Sequence, residues 1–390
     1  MEYAARSVGA ALGCTLALAS LLAAPGCQTT RAAQIYEHTS PSSEEHYCAW
    51  YGEAKAGVLY FGQAPFWSTA REGGGDAPLA DLERPGPQWI GRFELASREF
   101  LPPLDVTQEG AHSGVWDVLP HPNGRIYFTT FYEMAGSVDP MTGEVVHYPE
   151  LGSGLNELAL GPEDAIVVTR YGGYGGPGSD PEASGSVVLF SPDGLLLAEY
   201  PLHAPSGYSL APKTVAWDEA SGRYWLSTDL VRRDPTAHPA PSDHPAIVLD
   251  ASGTEVARIG GVELHFARFD PLARDGWGVA AFTADGQLRL VEIGPGEPRW
   301  QLAPGAGELL DPNFPARLDF VQDIAFGPER EVIVTRWSGR VHVIDSAGGR
   351  RDLQLPREPA DGLYYSAALS GDDVCATYCA DVSVVCAQLP

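Results

Sequence analysis

Side chains able to do chemistry recur in this sequence at one point of a repeated unit, not in a single compact motif. Trp116, Asn156, Lys213, His265, Gln322 and Tyr365, with Tyr47 as the earliest of the set, each stand near the start of an apolar segment of similar pattern. Three of the neighbouring positions are acids: Asp117, Glu157 and Asp323. The ends of the following segments supply a second set: Phe131, Arg170 with Tyr171, Asp229, and Arg336 with Trp337. Aromatic and arginine side chains are those that recognition surfaces favour, so the two sets together suit a mouth for a small anionic or sugar-like ligand. The plainer reading is that the aromatics pack on one another, and that the acids accept backbone hydrogen bonds from an adjacent segment.

Other constellations offer less. His238 and His244 stand in a Pro-rich stretch and could pair as metal ligands, but no third ligand accompanies them at a diagnostic spacing. No Gly-x-Ser-x-Gly elbow is present, and the Gly-rich run from Tyr171 to Gly178 does not lead into a helix as a phosphate-binding loop does.

The elements that must position these residues emerge from internal periodicity. Val115-Trp116-Asp117-Val118 leads through His121-Pro122-Asn123-Gly124 into Arg125-Ile126-Tyr127-Phe128-Thr129-Thr130. Asn156 to Ala159 leads through Gly161-Pro162-Glu163-Asp164 into Ile166 to Thr169, Thr214 to Trp217 into Tyr224 to Thr228, and Gln322 to Ala325 into Val332 to Thr335. Weaker copies start at Tyr47, His265 and Tyr365, which makes seven units. Most continue with a second hairpin, as in Gly185 to Phe190, the turn Ser191-Pro192-Asp193-Gly194, and Leu195 to Leu202.

Four short strands per unit, spaced by roughly 40 to 60 residues, make a propeller blade. The fold expected is therefore all-β: a seven-bladed β-propeller, with six blades as the alternative. The last unit, Tyr364 to Leu389, has only three strands, so Ala32 to His38 is expected to supply the fourth, outermost one and close the ring. Long insertions at Ser68 to Pro87, Tyr171 to Gly185 and Val231 to Pro245, with the connections Val106 to Ser113 and Pro304 to Arg317, are expected on one face. They are either a built-up binding surface or neutral loop growth.

Composition bounds the partners. A net charge of −26, with lysine only at Lys55 and Lys213, excludes nucleic acid and any polybasic membrane contact. The first 26 residues carry Arg6 and then an uncharged apolar run, as an export signal does. Ala24-Pro25-Gly26-Cys27 resembles a bacterial lipobox, which implies acylation of Cys27; ordinary cleavage nearby is the alternative. Residues 27–45 then form a tether and possible closing strand, with the propeller over 46–390. Gln28 after the cysteine, by resemblance to proteobacterial lipoproteins, implies the outer membrane.

Four cysteines remain for an oxidising compartment: Cys48, Cys375, Cys379 and Cys386. A hairpin about Ala380-Asp381 puts Cys375 opposite Cys386 and leaves Cys48 for Cys379, although four cysteines allow three connectivities.

The units resemble those of the SMP-30, gluconolactonase and paraoxonase-like propellers, and more loosely the NHL and YVTN type. That resemblance implies a calcium ion held in the tunnel by Asn, Asp and Glu at the starts of inner strands, with Asn156 at a ligating position. The equivalent ring, however, holds Tyr47, Trp116, Lys213, His265, Gln322 and Tyr365, a poor set for a cation that wants six to eight oxygen ligands. A metal would need Asp117, Glu157 and Asp323 to join Asn156. No cofactor is therefore expected, with calcium possible. The reading is a monomeric, lipid-anchored, extracytoplasmic propeller that binds a small molecule or an envelope protein without catalysis. A calcium-dependent lactonase or esterase and a purely structural envelope protein are the alternatives.

Overall fold

The computed structural model describes residues 5–7, 33–38, 47–65, 88–109, 114–130, 133–172, 184–232, 245–259, 262–270, 276–284, 287–293, 301–302, 321–356, 363–379 and 382–390. These form seven antiparallel sheets, six of four strands and one of five. Each sheet runs outward from an inner strand. In blade order the inner strands are Tyr47–Lys55, Val115–Pro120, Leu155–Leu160, Tyr208–Asp218, Val262–Phe269, Val321–Phe326 and Leu363–Ser370. Each packs on the next, and the seventh packs on the first, so the ring is closed. The fold is an all-β, seven-bladed propeller, and the six-bladed alternative falls.

Burial follows the radial position. The second strand of the third blade, Ile166–Arg170, is buried almost throughout, whereas its outermost strand, Leu196–Pro201, is mostly exposed. Apolar side chains of neighbouring blades meet between the sheets, as where Leu119 and Tyr127 pack with Leu155, Ile166, Val188 and Phe190. Such packing, face against face, holds a strand whose two sides are both covered.

One contact repeats with blade rotation. Tyr148 of the second blade lies against Gly194 in the turn of the third, and Tyr200 of the third against Gly253 in the turn of the fourth. Both glycines have positive φ, 83° and 81°, and a Cβ on either would stand within 2.1 Å of the tyrosine ring. Turn geometry and blade packing thus select glycine independently. Tyr200 completes the contact by donating its phenol to the Ala251 carbonyl at 3.1 Å.

The seventh blade closes the ring. Gln34–His38 pairs antiparallel with Val382–Gln388, Ile35 standing opposite Val385, and so supplies the fourth strand as expected. It is not the outermost one, because Ala5–Ser7 pairs along its far edge. Cys375 faces Cys386 across the hairpin and is bonded to it, and Cys48 is bonded to Cys379, joining the first blade to the last. Apolar packing runs through the same seam, with Leu59, Phe61, Phe93 and Phe100 against Val382, Val384 and Cys386.

Several expectations lie outside the described residues: Cys27 and most of the tether, Phe131, His238 and His244, and all or much of each long insertion.

Candidate functional site

The side chains at the axis are placed there by a defect repeated in every blade. In each of the seven sheets the pairing of inner and second strands loses register at one point. Val115 pairs with Thr130 and Asp117 with Thr129, which leaves Trp116 as the extra residue. Lys213, His265 and Gln322 are skipped in the same way. Asn156 and Glu157 share the shift in the third blade, Tyr365 and Ser366 in the seventh, and Trp50 and Tyr51 in the first. A β-bulge bends the strand and re-aims the side chain at that point. Six of the seven ring positions read from the sequence are bulge residues.

The seventh is a correction. Tyr47 pairs with Pro65 at the very start of its strand, and the bulge of the first blade lies further on, at Trp50 and Tyr51. Two tyrosines stand four residues apart in this strand, and the earlier one lies in the regular ladder whereas the later one lies in the bulge. The run Cys48-Ala49-Trp50-Tyr51-Gly52, where apolar alternation breaks, was the available signal.

Threonines opposite the bulges tie three of the blades to the next. Thr129 donates its hydroxyl to the Asn156 carbonyl at 2.5 Å, Thr169 to that of Lys213 at 3.4 Å, and Thr377 to that of Trp50 at 3.1 Å. Thr169 and Thr377 also accept, from the backbone N–H of Glu157 and Ser366. One hydroxyl therefore satisfies backbone groups that the bulge has removed from the ladder.

The bulge residues enclose a cavity of about 240 Å³ lined by Tyr51, Trp116, Asn156, Glu157, Tyr171, Lys213, His265, Gln322, Trp337 and Tyr365, with Thr214, Phe266 and Val321. Eight of the expected ligand-facing residues are thus brought together: Trp116, Asn156, Tyr171, Lys213, His265, Gln322, Trp337 and Tyr365. Arg170 and Arg336 are not among them. Arg170 donates to the carbonyls of Leu151 and Ser153, each at 2.6 Å, and pairs with Glu199. The 3-10 turn at Pro149–Leu151 leaves such carbonyls needing donors, and Arg170 meets that need. Arg336 is 2% exposed and packed within the sixth blade.

Tyr51, which the ring of strand starts had missed, spans the axis. Its phenol donates to Oε1 of Gln322 on the sixth blade, and its ring lies 5.3 Å from those of both Trp116 and Tyr365. Burial, then the nearby Glu157, push its pKa well above the ordinary value, so it remains a neutral donor.

Near the axis lies a group of charges that no short motif announced. Arg268, on the fifth inner strand, places Nη1 3.6 Å from Oδ1 of Asp323 and also interacts with Glu53, Asp117 and Glu157. Burial raises the pKa of all four acids, and Asp117 reaches about 7. For Glu157 the proximity of Asp117 adds to that effect. The two Asp117 oxygens accept the backbone N–H groups of Val118 and, from the next blade, Leu158, both at 2.8 Å.

This arrangement does not match calcium. Asp117 has both oxygens committed to backbone donors, and Arg268 brings its own positive charge among the acids where an ion's would be required. Among the described residues no group of three His, Cys, Asp or Glu side chains could hold a metal. Lys213 is paired with Asp229 at 2.8 Å and acts more distantly on Glu157.

No protein-family model matches the chain, and no curated protein matches it. Solved structures do. A catalytically inactive virginiamycin B lyase from Staphylococcus aureus, with quinupristin, superposes with a TM-score of 0.55 at 12% identity, covering 92% of this chain and 100% of that one. A chain of the mitotic checkpoint complex gives 0.55 at 11% identity, covering 96% and 98%. At such identities the shared feature is the fold alone.

Proposed function

We propose that this protein is a non-catalytic binding propeller, held outside the cytoplasm by a lipid on Cys27, whose axial cavity takes a small polar ligand. One observation carries the reading: all seven inner strands are bulged, and each bulge contributes at least one residue to one cavity. The lining joins apolar ring faces to a few polar groups, the composition typical of small-molecule sites.

The decisive experiment is a ligand screen by thermal shift on the exported protein, repeated with Trp116→Ala. A compound that raises the midpoint of the parent and not of the variant supports the reading. A screen in which no compound distinguishes the two would leave a purely structural role. For the anchor, growth with globomycin is expected to accumulate the unprocessed precursor, while Cys27→Ala should move the protein from the detergent to the aqueous phase. A protein unaffected by either has no lipid at Cys27.

A further inference from the structure

One wall of the cavity carries a buried acceptor and, beside it, an acid. Asn156 is 3% exposed, and its Oδ1 accepts no hydrogen bond among the described residues. Glu157, next to it on the same bulge and 8% exposed, lines the same cavity. A buried acceptor without a donor is costly in a folded protein, so Asn156 points to a ligand that brings an N–H or O–H group.

The walls say more about its charge. Six aromatic residues, Tyr51, Trp116, Tyr171, Phe266, Trp337 and Tyr365, line the cavity. Tyr51 meets Trp116 at 60° and Tyr365 at 74°, so the rings turn differently oriented faces and edges inward. Ring faces carry negative potential and attract a cation placed over them. The two cations nearby are already engaged: Lys213 with Asp229, and Arg268 with Asp323. An ammonium entering here would meet the Asn156 amide oxygen and the Glu157 carboxyl group, whose ionised form its charge would favour.

We propose that the cavity binds an organic ammonium, a protonated primary or secondary amine on an apolar body, with its N–H groups on Asn156 and Glu157 and its charge against the rings of Trp116, Tyr51 and Tyr365. This inference rests on the reading of the cavity as a ligand site. Its volume, about 240 Å³, lies below the range usual for drug-sized ligands, so the body is small.

The test is isothermal titration of the folded, exported protein with phenethylammonium, its neutral isostere phenethyl alcohol, phenylacetate and glucose. The amine is expected to bind at least about tenfold more tightly than each of the others. Glu157→Gln, close in shape to the parent, should weaken the amine by about tenfold or more and the alcohol by much less. Asn156→Leu provides a second route to the same loss, with circular dichroism confirming that each variant is folded.

Equal or tighter binding of the alcohol, glucose or phenylacetate overturns the proposal, as does an amine affinity that both variants leave intact. The two readings separate on Trp116→Ala. If a neutral or anionic probe binds and that variant abolishes it, the cavity is a ligand site and the ammonium assignment fails. If no probe shows binding that depends on Trp116, both fail.

Discussion

The Tyr51 phenol and the Gln322 side-chain carbonyl, 271 residues apart in sequence, meet across the axis at 2.8 Å. The bond joins the first blade to the sixth, blades that are not neighbours in the ring. It ties the wall of the cavity together through the axis. Tyr51→Phe leaves Gln322, only 6% exposed, without that donor, and is expected to cost about 1 kcal/mol. A double-mutant cycle with Gln322→Leu, followed by urea denaturation, should give a coupling of roughly 0.5–1.5 kcal/mol; additive effects would show that the bond contributes nothing.

The threonines opposite the bulges are predicted to differ in rank. Thr129→Val removes one hydrogen bond to a neighbouring blade, whereas Thr169→Val also strands the buried Glu157 N–H. Both keep shape and volume, so stability should fall by about 1 kcal/mol in the first case and by more in the second. Denaturant midpoints at constant slope measure the two, and the reverse order would refute this account of the inter-blade tie.

The buried acids predict an unusual pH response. Asp117, pushed by burial from 3.8 to about 7, holds its proton in the fold over a range where the unfolded chain has lost it. Glu53, Glu157 and Asp323 are raised likewise. The folded state therefore binds more protons, and stability falls as pH rises through that window. Three pKa units at one group correspond to roughly 4 kcal/mol. Asp352, held low by His342 and Arg350 despite burial, loses its contribution only in stronger acid. His342, which burial pushes below 6.5, acts in the opposite sense near that pH. Comparison with Glu157→Gln isolates the acids: between about pH 5.5 and about pH 8 the variant should lose less stability than the parent. Parallel pH profiles would count against the charge cluster.

The two disulfides should not be equivalent. Cys48 and Cys379 close a loop of 331 residues, Cys375 and Cys386 one of 11. Loop-closure entropy gives roughly 6 kcal/mol for the first and roughly 3 kcal/mol for the second. Replacing Cys48 and Cys379 by alanine should therefore lower stability about twice as much as replacing Cys375 and Cys386, as urea titration of the two double variants would show.

Much of this was written locally in the chain. The alternation of apolar residues, the Pro-Glu and Asp-Gly turns and the recurrence of the unit specified seven sheets, because strand pairing within a blade depends on neighbours close in sequence. The missing fourth strand of the last unit pointed to Ala32 to His38, within which Gln34–His38 pairs, and the position of Cys375 opposite Cys386 followed from the hairpin. Six ring residues, Trp116, Asn156, Lys213, His265, Gln322 and Tyr365, were legible because each occupies the same place in its unit.

What the chain could not show locally is what the axis brings together. Tyr51 was hidden because a bulge is defined by its partner strand, and Tyr47 offers the same side chain nearer the start of the same strand. Arg170 and Arg336 stand at strand ends like Tyr171 and Trp337, yet Arg170 turns to the unpaired carbonyls of a neighbouring 3-10 turn and Arg336 is buried in its own blade. Arg268 is unremarkable in sequence and meets Glu53, Asp117, Glu157 and Asp323 only when five different blades converge. Periodicity acts between residues a few positions apart, so it determined the blades; burial and charge act through space across the axis, so closure of the ring decided the site.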